Sequence, residues 1–158
     1  MATWAEFQDA RPDLAEAGRA LLYQFGVGLA FLATVTRDGL PRVHPMCPVL
    51  ANDGLFALIV PSPKLGDLAR DGHYAMHSFP SPQNEDAIYI TGTARPRADA
   101  GARAAVAQTF LAERGWETEP PGFAEQSLFE LRIDRCLLTR TTGHGDHDPQ
   151  HTIWKAPS

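Results

Sequence analysis

The sequence predicts a mainly β fold, a six-stranded antiparallel barrel with flanking helices. Three observations support this. Apolar, β-branched runs of strand length follow one another across tight-turn signals, as in hairpin-linked rather than parallel sheets. Only two stretches longer than ten residues carry helical periodicity. Near the end, SLFELRIDRCLLTRTT alternates Phe129, Leu131 and Ile133 with Glu130, Arg132 and Asp134, which marks a long half-buried strand.

The elements follow in chain order. Thr3-Trp4-Ala5-Glu6 has capping-box spacing, in which a hydroxyl and a carboxylate satisfy each other's backbone donors. Leu14, Ala17, Leu21, Leu22 and Phe25 recur at helical intervals, so an amphipathic helix is expected over about 13–25, stopped by Gly26. Trp4 and Phe7 belong either to the core or to a subunit interface. Barrel strands are expected over about 27–141. The first, Leu29 to Thr36, turns at Asp38-Gly39 into a second, Pro41 to Leu50; Asn52-Asp53-Gly54 turns into a third, Leu55 to Val60. A short helix from Lys64 to Arg70 follows a Ser-Pro-Lys loop, then strands His73 to Phe79 and Ala87 to Arg95, where Gly92 signals a bulge or close backbone approach. Asp99 caps a helix from about Ala100 to Arg114, and Leu128 to Thr141 is the sixth strand. A polar tail occupies 142–158, and the whole chain, 1–158, is expected to form one domain.

Bulk properties narrow the function classes. A 158-residue chain can bury a substantial core, and its 44% hydrophobic and 21% charged content is that of a soluble globular protein. The net charge of -5 argues against nucleic acid as a partner, since phosphate contacts need a basic surface. No apolar run is long enough to span a bilayer, and no leader-like segment opens the chain, so no membrane partner and a cytoplasmic location are expected. Cys47 and Cys136 match no metal or disulfide framework.

Ser62 and Lys64 are the first candidates for chemistry. A hydroxyl and an ammonium at a helix start, where unpaired N–H groups and the positive dipole end collect, suit a phosphate. Arg42 and His44 share one face of the second strand, with Val43 and Pro45 on the other. Pro45 and Pro48 lack a backbone donor; they mark either an edge protected against aggregation or a ladder broken beside a planar ligand. The GHGDHDPQH stretch, with His144, His147 and His151, reads as a mobile polar loop rather than a metal site, because it lacks a helical scaffold and a spaced ligand motif. No Ser-His-Asp or Cys-His arrangement stands out, so catalytic residues are unassigned.

With those residues in place, the chain resembles the pyridoxamine 5′-phosphate oxidase-like, FMN-binding split-barrel superfamily. The resemblance rests on FLATVTRDGLPRVHPM, LFALIVPSPKLGDLARDG, ELRIDRCLLT and HTIWKAP, from roughly Leu21 to Trp154. It implies an FMN-dependent oxidoreductase acting on a small-molecule substrate, built as a homodimer with flavin sites at the subunit interface. It further implies that Arg42, Val43, His44 and Pro45 run beside the ring and ribityl chain, and that Ser62 and Lys64 hold the phosphate. His77 or Ser78 would approach the flavin, and Trp154 would close over it from the partner subunit. His44 is the first choice for proton transfer, because a histidine titrates near neutrality. The chain departs from true pyridoxamine phosphate oxidases in lacking their extra C-terminal Arg and His set, so vitamin oxidation is not implied. The same barrel accommodates a deazaflavin coenzyme or haem, and a non-catalytic flavin- or haem-binding module is the alternative.

Overall fold

A computed structural model describes residues Met1–Pro157; Ser158, the last residue of the expected tail, lies outside the described residues. Helices α1 (Trp4–Ala10) and α2 (Pro12–Leu22) precede four strands: β1 (Ala30–Val35), β2 (Pro41–Met46), β3 (Pro48–Ala51) and β4 (Gly54–Ile59). Helix α3 (Pro63–Arg70), strands β5 (His73–Ser78) and β6 (Ala87–Pro96), helix α4 (Ala100–Ala112), and strands β7 (Ser127–Arg140) and β8 (Gln150–Lys155) complete the order.

All strand pairings are antiparallel, in the order β2-β1-β5-β6-β7-β4-β3, with β8 added on β7. The two ends of that order, β2 and β3, are separated in sequence by Cys47 alone. The sheet must therefore curl until its edges meet at that residue, so a covalent link closes the barrel where no ladder does. Among the described residues, eight strands replace the six expected. Cys47, between Pro45 and Pro48, divides the predicted second strand, because a proline cannot donate to a central ladder. The eighth lies in the tail, where exposed His151, Thr152 and Ile153 hide the strand period.

Alternation along β1, β5 and β6 sorts side chains cleanly. Leu32, Met76 and Ile90 point into a core that also takes Trp4, Phe7, Leu22, Leu131 and Ile133. Trp4 and Phe7 thus belong to the core, under 2% exposed, and not to a subunit interface. The capping box closes as expected: Glu6 N–H donates to Thr3 Oγ1 at 3.1 Å, and Thr3 N–H donates to Glu6 Oε2 at 2.7 Å. Helix α2 shelves on β6, and α4 covers the outer side of β3 and β4 through Val49, Phe56, Val106 and Leu128. The outer side of β2, β1, β5 and β6 receives no helix. Across it runs one cross-strand row, Pro45, Phe31, His77, Tyr89, Leu137 and Ile153, none of them buried. Val43 beside it is 57% exposed and Ile153 is 47% exposed.

The register of β6 on β7 shifts between Thr91 and Gly92, so Asp134 is the extra residue of a bulge. A Cβ built on Gly92 would lie 1.7 Å from the Arg132 carbonyl oxygen. Gly92→Ala is expected to destabilise the fold by about 3 kcal/mol through backbone displacement. Urea unfolding that gives the wild-type midpoint would contradict this.

Candidate functional site

The chain breaks its ladder at Cys47, which lies near Lys64 in the first turn of α3. Ser62 is the N-cap of α3: its Oγ accepts from Leu65 N–H at 3.4 Å and donates to the Val60 carbonyl at 2.9 Å. Pro63 takes the first helical position, where a missing N–H costs nothing. The next donor is Lys64 N–H, and above this turn a Cβ on Gly66 would meet nothing within 4 Å. The side of α3 at Gly66 thus faces open space.

The Lys64 ammonium is half-buried and has no ion-pair partner among the described residues. Desolvation lowers its pKa from the ordinary lysine value, and the nearby Cys47 sulfur opposes the shift. A cation that has lost part of its water and has no counter-charge among the described residues would gain from pairing with an anion, which recovers part of the lost solvation.

Arg42 reaches the same helix from β2. Its Nε donates to Asp67 Oδ2 at 2.8 Å, and Thr34 Oγ1 donates to the same oxygen at 3.0 Å. Arg70 approaches the other carboxylate oxygen at 3.4 Å and donates to the Val35 carbonyl. Asp67 is only 5% exposed, and the Arg42 hydrogen bond holds its carboxyl below the usual carboxylate range. Its work is to fix β1, β2 and α3 to one another and to set the Arg42 guanidinium plane. Nη1 and Nη2 of Arg42 carry no hydrogen bond to the described residues.

The remaining expected residues divide. Register puts Arg42 and His44 opposite Thr34 and Leu32, and Val43 and Pro45 opposite Ala33 and Phe31, so the two faces of β2 are those read from the sequence. His44, Val43 and Pro45 are exposed at the sheet edge. His77 lies on the bare outer face, its Nδ1 2.7 Å from the Ser78 carbonyl, while Ser78 is fully buried and accepts from Ile88 N–H at 3.1 Å. Between His77 and Ser78, only His77 is accessible. Trp154 points inward, its ring 4.9 Å from that of Phe7 in the same chain, and does not join the groups at α3. Asp67, Thr34 and Cys47 were missed. Asp67 carried one signal: an acid between Leu65 and Leu68 on a short amphipathic helix needs a partner if it turns inward. The stacked Phe31 and Phe79 rings, 4.4 Å apart beside His77, were also missed.

Among the described residues, the His-rich stretch included, no three His, Cys, Asp or Glu side chains are grouped so that they could hold a metal ion. Among the described residues no helix is long and apolar enough to cross a membrane.

Solved structures share this fold. A provisionally assigned pyridoxamine 5′-phosphate oxidase from Listeria innocua superposes with a TM-score of 0.60 at 16% identity, covering 76% of this chain and 93% of its own. A structure titled F420 reductase gives 0.58 at 19% identity, covering 74% and 94%. A heme binding protein from Mycobacterium smegmatis gives 0.59 at 22% identity, covering 86% of this chain but only 57% of its own length. No family model matches the sequence, and no curated protein matches it. The architecture is a split barrel, the fold that this chain shares with these structures.

Because the folded pKa of Asp67 lies below its unfolded value, the stability it contributes is present above about pH 4 and is lost as pH falls through the folded value. Asp67→Asn is expected to cost about 2 kcal/mol at pH 7 and to make stability less pH-dependent below pH 4. Urea titrations at pH 7 and pH 3 measure both effects; an unchanged acid limb would remove Asp67 as the clamp.

Proposed function

We propose that this split barrel binds FMN and serves as a flavin-dependent oxidoreductase for a small organic molecule. One observation carries the reading: the partly desolvated Lys64 ammonium, without an ion-pair partner among the described residues, stands in the first turn of α3, the helix to which Asp67 clamps Arg42. Lys64, its backbone N–H and the N-terminus of α3 take the phosphate; the Ser62 hydroxyl joins them if it rotates away from the Val60 carbonyl. Arg42 keeps Nε on Asp67 and offers its terminal nitrogens to the ribityl or phosphate oxygens. The exposed edge of β2, where Val43, His44 and Pro45 leave the ladder incomplete, runs along the ring. When bound, the flavin supplies hydride exchange at its N5. His44, exposed at that edge, is the residue placed to move a proton.

The bare outer face favours a homodimer. Its apolar row, with Val43 and Ile153 exposed, lies against the same β2 edge that holds the cofactor. A second copy covering that face would bring its His77 towards the flavin, whereas Trp154 is engaged by its own Phe7. A deazaflavin coenzyme shares the phosphate chemistry, and its reading is supported by the likeness to the F420 reductase.

Purified protein titrated with FMN is expected to quench flavin fluorescence at one site per chain, and Lys64→Ala to weaken binding ten- to hundredfold, roughly 1.5–3 kcal/mol. Failure of the wild type to bind FMN, with binding of F420, would move the assignment to the deazaflavin; a Soret band would move it to haem. Wild-type affinity in Lys64→Ala would shift the phosphate site elsewhere. In sedimentation at micromolar concentration the chain is expected at twice its own mass, and Val43→Glu at one.

A further inference from the structure

A cavity of about 440 Å³ lies between the β3–β4 turn, the start of α4 and β7, and its lining includes none of Arg42, Ser62 and Lys64. Two energetic costs converge on it. The first is a buried charge. Glu130 is 4% exposed, in a stretch of β7 where Leu128, Phe129 and Leu131 are also buried. Its Oε2 accepts from Arg97 Nη1 at 2.8 Å and from Arg132 Nη2 at 3.1 Å. Apolar residues of similar volume commonly hold such a place at least as well, so an Arg–Glu–Arg arrangement is a candidate for a role other than stability. Here the carboxylate sets two guanidinium groups side by side, and both line the cavity.

The second cost is in the backbone. Ala51 pairs with Gly54, so Asn52 and Asp53 form a two-residue hairpin turn, and both are left-handed, with φ of 43° and 60°. Such a turn prefers Asn-Gly, because an L residue at the second position strains against its own Cβ. Asp53 is kept where glycine would relieve the turn, and the turn forms one wall of the cavity. Across from it, Asp99 uses Oδ1 to cap α4 at Gly101 N–H, 2.8 Å away, and turns Oδ2 towards Arg97 at 3.8 Å.

The lining therefore carries two guanidinium groups, Arg97 and Arg132, against three carboxylates, Asp53, Asp99 and Glu130. A simple anion would face the carboxylates at the rim, and a simple cation the arginines. We infer that this cavity binds a small zwitterion, its carboxylate on Arg97 and Arg132 and its ammonium on Asp53 and Asp99. Glu130 acts as a positioning residue that aligns the arginines, and the cavity volume suits a molecule of amino-acid size. The site is separate from the flavin reading and does not depend on it.

The test is a series of ω-amino acids that varies the charge separation: glycine, β-alanine, 4-aminobutyrate and 6-aminohexanoate, with acetate and ethylamine as half-ligands. Thermal unfolding of the full chain is expected to rise by about 4 °C at ten times the Kd of the best-fitting length. The half-ligands should give no shift at the same concentration. Asp53→Gly creates the preferred Asn-Gly turn, so it should raise the unfolding temperature of the ligand-free protein while abolishing the ligand shift. Arg97→Lys should weaken binding at least tenfold by calorimetry, and Lys64→Ala should leave it unchanged. No shift with any member of the series, an equal shift with acetate, or a full shift in Asp53→Gly would overturn the assignment.

Discussion

Everything in this barrel depends on the single-residue junction at Cys47. Strands β2 and β3 stand at opposite ends of the strand order yet are consecutive in the chain. The sheet has to curl to bring them together, and the curl creates the inside that Leu32, Met76, Ile90 and Leu131 fill. Pro45 and Pro48 on either side keep a continuous ladder from forming through the junction, because neither has an N–H to give. The barrel is closed covalently and left open in hydrogen bonds. That opening lies near the first turn of α3, where Lys64 stands without an ion-pair partner among the described residues.

The same junction explains how charges are allotted around α3. Asp67 is buried, and three neighbours from β1, β2 and α3 itself satisfy it. A buried carboxylate with charge-assisted partners is tolerable; Lys64, one turn earlier, has no such partner among the described residues and has lost part of its water. Arg42 uses Nε on the Asp67 carboxylate, and its terminal nitrogens carry no hydrogen bond to the described residues. The clamp stiffens the edge strand that has a neighbour on one side only. Rigidity at that edge lowers the ordering cost that any ligand there must meet.

Much of this was legible from residue order. Hairpin turns, the capping box at Thr3, the bulge at Gly92 and the helix starts at Ser62 and Asp99 are local signals, each with a local cause. The strand count was not legible, because Val49, Leu50 and Ala51 are buried like the residues of an uninterrupted strand and only the flanking prolines hint at the break. Strand β8 escaped because its exposed side chains follow no period of two; it is held by β7 alone, which lends it a ladder without a buried face. Of the candidate site, side chains tied to a helix start or a strand face were readable. Asp67 was not, since its role rests on Thr34 and Arg42, which lie 33 and 25 residues away and meet it only after the sheet has curled.

The distribution of cover over the outer sheet gives the last step. Helix α4 covers the outer side of β3 and β4, packing Val106 against Val49 and Phe56. The other half of the outer face has no such cover, and its row from Pro45 to Ile153 mixes aromatic, aliphatic and histidine side chains. A single chain has used its helices to protect one half only. Had the exposed half served solubility alone, its outward positions would carry charge, as Arg95 and Arg140 do at the strand ends. They carry Val43, Phe31, Tyr89 and Leu137 instead, beside the strand edge that the proposed cofactor needs. Cofactor edge and bare face are parts of one surface, and a partner that covers the second also encloses the first.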